Sequence, residues 1–340
     1  MSLLLIQFLF PLAMGQGLVQ PIPAKAPTPK DNPQTKEKIE LGKMLYFDPR
    51  LSYDGTVSCN TCHNVMAGGE DGRSVSVGVN GHKGGRGAPT VWNSAFLSVQ
   101  FWDGREPSLE AQAKGPMINP IEMGNKDHKL VIDRLKKIPG YVNEFKKVFK
   151  GKDPLNIDNV AKAIASYERT LITPDAPFDK FLKGNKKAIS AQAKAGWETF
   201  QSVGCTTCHS GVNFAGPTLP EGTGFFMKFP LYPNTQYDKK YKFTEDKGRY
   251  EVTKKDADMH MFRVQTLRNI ALTTPYFHNG KVNTLEEAVR VMGKTQLNKD
   301  LSDKEVSNIV AFLKSLTGVF PKQTMPRLPP TPGVVVVDHK

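Results

Sequence analysis

Cys59-Asn60-Thr61-Cys62-His63 recurs as Cys205-Thr206-Thr207-Cys208-His209, and the two runs together use all four cysteines of the 340-residue chain. Two thiols at this spacing can add across the vinyl groups of a porphyrin while the adjacent histidine becomes an axial iron ligand, which is the attachment signature of a c-type haem. The same cysteines could close a tetrahedral zinc site or form redox disulfides. Neither alternative explains why a histidine follows both pairs. Two covalently bound haems are therefore expected, and no cysteine is left for a structural disulfide.

The length allows two domains of ordinary size, one per haem. With 39% hydrophobic and 23% charged residues, wholesale disorder is excluded and a water-soluble globular protein is expected. Leu3 to Leu12 form an apolar run far short of the roughly 20 residues a spanning helix needs. Small residues follow at Ala13-Met14-Gly15, as in a secretory leader, so residues 1–17 are expected to be a signal peptide with no stable membrane span in the mature chain. Haem attachment of this type is completed outside the bacterial cytoplasmic membrane, so the expected address is the periplasm. The net charge of +13 favours an acidic partner. Nucleic acid is not expected, because the lysines are scattered along helices and no basic arm or recognised motif gathers them.

Residues 18–34 hold five prolines and read as an extended linker or a strap over the surface. Ile39, Leu41, Met44, Leu45 and Phe47 give a helical stripe from Thr35 to Phe47, stopped by Asp48-Pro49. The spacing of apolar residues predicts further helices over 109–115, 128–149 and 156–171. Thr173-Pro174-Asp175-Ala176-Pro177 then breaks the pattern. A second helix, opened by Ser190, leads into the second haem motif, and this repeat of the first arrangement suggests a duplication. Thr284 with Glu287 and Ser302 with Glu305 open two closing helices, the last of which stops at Gly318. Few runs alternate as strands do. The expected fold class is mainly α, with two cytochrome c-like haem domains over 35–172 and 173–320 and a tail over 321–340.

His63 and His209 would each leave one axial position of their iron to fill. His82 lies in the glycine-dense stretch Gly78–Gly87 and could reach back to the first iron; a loop histidine without a ligand role is the alternative. Met292, on the helix opened by Thr284, could supply a thioether to the second; a core methionine is the alternative. His128, in a charged helical start, and His339, near the end of the sequence, are expected to be solvated.

The runs Gln100-Phe101-Trp102-Asp103-Gly104-Arg105, Ala111-Gln112-Ala113-Lys114-Gly115-Pro116, Ile121-Glu122-Met123, Thr266-Leu267-Arg268-Asn269 and Pro275-Tyr276-Phe277-His278-Asn279-Gly280 follow one another around the two haem motifs. In this order, with Ala88-Pro89-Thr90, they resemble the bacterial dihaem cytochrome c peroxidases over roughly residues 35 to 320. The resemblance implies a low-potential, peroxidatic haem in the first domain, ligated by His63 and, at rest, His82. It implies a high-potential, electron-accepting haem in the second, ligated by His209 and Met292. It gives Glu122 as acid/base, Gln112 as its pocket neighbour, Trp102 as the aromatic between the haems, and His278 near the second haem's side of the interface. It also implies a homodimer and an inter-haem calcium, to which Thr273 and Pro275 would lend carbonyls; the family usually has an asparagine where this chain has Gly87.

The implied activity is reduction of hydrogen peroxide to water with electrons from a small cytochrome c or cupredoxin. A plain dihaem electron carrier is the first alternative, disfavoured by Glu122. The second is a related dihaem enzyme that oxidises a partner protein and has a tyrosine where this chain has Met292.

Overall fold

The computed structural model describes residues 19–331, so the expected signal peptide and His339 lie outside the described residues. Thr35 accepts a hydrogen bond from Lys38 N and opens α1 (Lys36–Phe47), which ends at Asp48 because Pro49 has no N–H to extend it. α2 is the single turn Cys59–Cys62. α3 (Leu109–Ile118) starts on a Ser108 cap and outruns the expected end at Gly115, carrying Pro116 in its closing turn. The single helix expected over 128–149 is instead two, α4 (His128–Lys136) and α5 (Pro139–Val148). Pro139 is the reason: it cannot donate backward, and it holds Ile138 in extended backbone (φ −107°, ψ 99°). α6 (Ile157–Glu168) is capped by Asn156.

α7 (Pro177–Leu182), α8 (Ala191–Ser202), α9 (Gln236–Tyr241), α10 (Tyr250–Thr253), α11 (Leu285–Leu297) and α12 (Asp303–Lys314) follow, with one short antiparallel pair, β1 (Phe226–Lys228) on β2 (Met261–Arg263). The fold is mainly helical, as expected. Ser302 and Glu305 form a reciprocal capping box, whereas Glu287 turns its carboxylate to Tyr241 and Lys240. α12 stops at Lys314, four residues before Gly318; that glycine serves a close approach instead, since a Cβ there would lie 1.9 Å from Thr173 O.

Two hydrophobic cores divide the chain. The first gathers Leu41, Leu45, Tyr46, Trp92, Phe145, Ile164 and Tyr167, where α1 crosses α6. The second gathers Phe178, Trp197, Phe200, Phe214, Phe312 and Val291, where α8 crosses α12. Each crossing is closed by a glycine. A Cβ on Gly42 would lie 1.8 Å from Ala163 O, and one on Gly196 would lie 1.8 Å from Asn308 O. Between the cores the buried Thr173 hydroxyl accepts from the amides of Asn93 (2.8 Å) and Asn269 (2.9 Å), one from each side.

The proline-rich segment is a strap with anchors at both ends. Val19 bridges to Gly211 beside the second haem motif, Arg268 Nη2 donates to Gln20 O, and Ile22 is buried. Asn32, fully buried, then bonds Glu110 Oε1 and Lys162 O on the first half. The described part of the expected tail has anchors as well. Phe320 packs edge-on against Trp92 at 4.8 Å, Gln323 Oε1 accepts from Tyr167 O–H, and Thr324 and Thr331 bond Lys43 and Arg50. The end of the described chain thus lies on the first half, where it adds cover to Trp92 and Tyr167.

Candidate active site

α2 presents Cys59 and Cys62 at the two ends of its single turn, and His63 follows as its C-cap. Tyr46 O–H donates to His63 O (2.7 Å), which fixes the backbone there. The His63 ring places Nδ1 2.9 Å from Pro89 O. A carbonyl can only accept, so Nδ1 carries the proton and Nε2 keeps its lone pair for a metal. In the second motif His209 Nδ1 stands 3.0 Å from Phe214 O and has the same tautomer by the same argument. Burial holds both imidazoles neutral, with pKa values below the ordinary one.

The thiols are free, and burial pushes Cys62 up to about 11 and Cys205 up to about 12, with Cys59 and Cys208 raised as well. The two cysteine pairs stand beside different cores, Cys59 packing on the first and Cys205 on the second. Among the described residues no three His, Cys, Asp or Glu side chains converge as metal ligands, which counts against a shared zinc. A porphyrin fits the first motif: Cys59, Cys62 and His63 line one cavity of about 730 Å³ with Val57, Ile164 and Phe101 among its walls. Four buried polar atoms of that lining, Ser76 Oγ, Ser94 Oγ, Glu168 Oε2 and His278 Nε2, have no partner within the protein. In the second half, Met292 of α11 is half-buried against the same core on which Cys205 packs.

The opposite wall of the cavity is built by α3 and the turn that closes it. Gln112 stands one turn into α3. Met123 N and Gly124 N fold back on Pro116 O and Asn119 O, and Met123 is buried, so Glu122 is carried over the cavity mouth. Asn119 Nδ2 donates to Glu122 Oε1 at 2.8 Å. Burial raises the Glu122 pKa above the usual carboxylate value, and Arg105 and Asn119 oppose the rise. Gln112, Glu122 and Trp102 are thus brought to one cavity with His63.

Trp102 reaches from this cavity to the second core, its Nε1 donating to Gly87 O (2.9 Å). Gly87 N donates in turn to His278 O. The His278 ring stacks on Phe262 at 4.6 Å and stands edge-to-face with Trp102, and burial lowers its pKa to about 4. It belongs to the lining of the first cavity, a placement beyond what the sequence suggested.

His82 is not brought to the cavity. Its residue is exposed, and the turn from Val77 to Lys83 is a closed bridge pinned by Val79 N to Glu122 O (2.9 Å). Thr273 and Pro275 are half-buried on either side of Thr274. Gly87 brings no side-chain oxygen to them, and a Cβ there would lie 3.1 Å from Ser74 O. Nothing at Gly87 therefore fits the calcium that the resemblance implied. His128, expected in solvent, has Nε2 2.9 Å from Lys114 O. Glu168 was missed because it reads as one more polar residue on the α6 stripe; Arg105 sits in a quoted run but carries no signal of its own.

The model of the family described as di-haem cytochrome c peroxidase matches residues 36–187. The cytochrome c551 peroxidase of Pseudomonas aeruginosa is 45% identical over 334 residues, covering 96% of this chain and 94% of that protein. The cytochrome c551 peroxidase of Nitrosomonas europaea is 44% identical, with coverage of 92% and 88%. Among solved structures, a MauG-like protein associated with microbial copper homeostasis superposes with a TM-score of 0.74 at 28% identity, over 87% of this chain and 93% of that one. With sequence likeness along nearly its whole length and the motifs set out above, the chain belongs to the di-haem cytochrome c peroxidase family.

Proposed function

We infer that this chain reduces hydrogen peroxide to two waters with two electrons from a small soluble redox protein, the first cavity being the site of reaction. The observation that carries this reading is the convergence of His63, Glu122, Gln112 and Trp102 on one cavity. A haem bound there through Cys59 and Cys62 would supply the iron that binds peroxide and accepts electrons one at a time. The residues do the rest. His63, oriented by Pro89 O, would hold the iron from one face. Glu122, steadied by Asn119, would take the proton from the near oxygen of peroxide and return it to the leaving one, and Gln112 would orient the substrate by its amide.

The second haem, covalently held by Cys205 and Cys208, would be ligated by His209 and Met292 and receive the donor's electrons; Trp102 spans the gap between the halves. The domain division at 172/173, and the duplication, are supported by the paired glycine crossings of α1 on α6 and α8 on α12. We read His82 as a gate in its withdrawn form: for it to ligate the first iron, the 77–83 turn would have to leave the Glu122 backbone. No step runs through calcium. The basic surface favours an acidic cytochrome c or cupredoxin as donor, in the periplasm, and the assembly would be a homodimer.

Two haems per chain by pyridine haemochrome, none extractable with acidified acetone, and peroxide turnover with a reduced donor are the expected results. Two intact haems without turnover would leave the electron-carrier reading standing. Met292→His should lower the midpoint potential of the second haem markedly, since a thioether favours ferrous iron more than imidazole does. An unchanged redox titration in that variant would place the ligand elsewhere, with Met259 or Met261 next in line.

A further inference from the structure

Arg105 lies on the rim of the peroxide cavity with about a third of its side chain exposed (32%), yet it is held in place on two sides. Its guanidinium stacks over the Phe101 ring with the central carbon 3.5 Å from the centroid. Its Nη1 donates to both carboxylate oxygens of Asp103, at 3.0 and 2.8 Å, and its own N–H to Asp103 Oδ1. Asp103 is buried and is itself clamped, by Arg86 Nη1 at 2.7 Å. Arg86 in turn grips Asp246, from the other half of the chain, through Nε (2.6 Å) and Nη2 (2.8 Å). Phe101, at φ +68°, is kept in a left-handed turn by Gly104 N and by Arg263 Nε, both donating to its carbonyl. Four charged side chains and one aromatic ring therefore hold a single cation beside Glu122.

We propose that Arg105 is the positioning charge of the peroxide pocket: its guanidinium, clamped on the wall of the cavity that Glu122 also lines, supports the carboxylate that accepts the peroxide proton. The proposal rests on the reading of Glu122 as acid/base. Arg105 is the charge of greatest weight on Glu122, and it opposes desolvation. The other groups facing Glu122 add little positive charge. Cys59 and Cys62 of α2 are neutral and become thioethers on haem attachment. Asn119 is neutral, and Glu168 of α6, across the cavity, is pushed up to about 8 by burial and so is mostly protonated at neutral pH. His82 and Lys83, on the turn bonded to the Glu122 carbonyl, are exposed to solvent.

The sign follows from linkage. Without the guanidinium the ionised form of Glu122 loses its main support, so its pKa rises and the base form is lost at a higher pH. In Arg105→Gln the acid limb of kcat/KM for peroxide should move to higher pH, costing about tenfold on that limb, with the alkaline plateau kept. Arg105→Lys, which keeps the charge and loses the fork, should move it less. A readout independent of turnover is the infrared carboxyl band of Glu122 in the haem-loaded enzyme, identified by its loss in Glu122→Gln; its titration midpoint should rise in Arg105→Gln. Both variants should keep the haem spectra of wild type. An unshifted midpoint, or a pH profile that only scales down uniformly, would overturn the proposal and leave Arg105 a structural clamp. Wild-type turnover in Glu122→Gln would instead overturn the acid/base reading on which it rests.

Discussion

Replacing Glu122 by glutamine should leave both haems bound and their spectra intact while peroxide turnover falls by roughly 10²- to 10⁴-fold, the span usual for a lost acid/base group. Glutamine keeps the volume and can still meet Asn119, so the turn from Asn119 to Gly124 has no reason to move. What disappears is the one side chain on that wall able to take a proton at one oxygen and release it at the next. Wild-type activity should also decline toward acid pH, since Glu122 works as a base only when ionised, and burial has raised the pH at which it ceases to be so. The glutamine variant should lose that dependence. Steady-state peroxide consumption across pH, alongside optical spectra, checks both points. A variant within a few-fold of wild type would reduce Glu122 to a surface carboxylate.

The second large effect concerns assembly of the halves. Gly42→Ala and Gly196→Ala each place a methyl group 1.8 Å from a carbonyl oxygen of the facing helix, Ala163 O and Asn308 O respectively. Backbone cannot retreat as a side-chain tip can, so the helices must separate, and α1 and α8 are the main partners of α6 and α12. Overpacking of this kind costs about 3 kcal/mol, the upper part of the usual range. For a unit of about 150 residues that corresponds to a fall in Tm of roughly 6 to 12 °C. Gly115→Ala is the control, since its methyl would meet nothing nearer than Phe101 Cζ at 3.9 Å. Calorimetry on the haem-loaded protein should find the two crossing variants shifted and the control not; equal behaviour of all three would mean that the crossings can relax.

Much of this was legible before any coordinates. The duplicated Cys-x-x-Cys-His run lies in five consecutive residues, and the helix starts at Ser190 and Ser302 are local side-chain chemistry, so neither needs the fold to be read. The break at Pro139 is equally local, but the apolar stripe runs on through it and so masks it. Pairings between distant residues were not legible. Glu168 looks like any exposed helical glutamate until α1 and the first haem motif close over it. The link from Asp246 to Arg86 spans 160 positions of sequence and has no periodicity to announce it. His82 sits where motif reading would want a ligand, but the freedom of a glycine-dense loop has no direction in the sequence alone.

The way the far strap lies on the first half bears on the order in which the protein can be made. A ribosome delivers α1, α2 and α6 long before Phe320, Gln323 and Thr324, the residues that lie over Trp92, Tyr167 and Lys43. Until those last segments emerge, the first half has an unfinished flank, and its core is held only by the α1–α6 crossing and its neighbours. The first half therefore takes part of its cover from residues roughly 150 positions beyond α6, in addition to the α1–α6 crossing. Removing residues 320–331 should accordingly open Trp92 and Tyr167 to water while the second core stays closed.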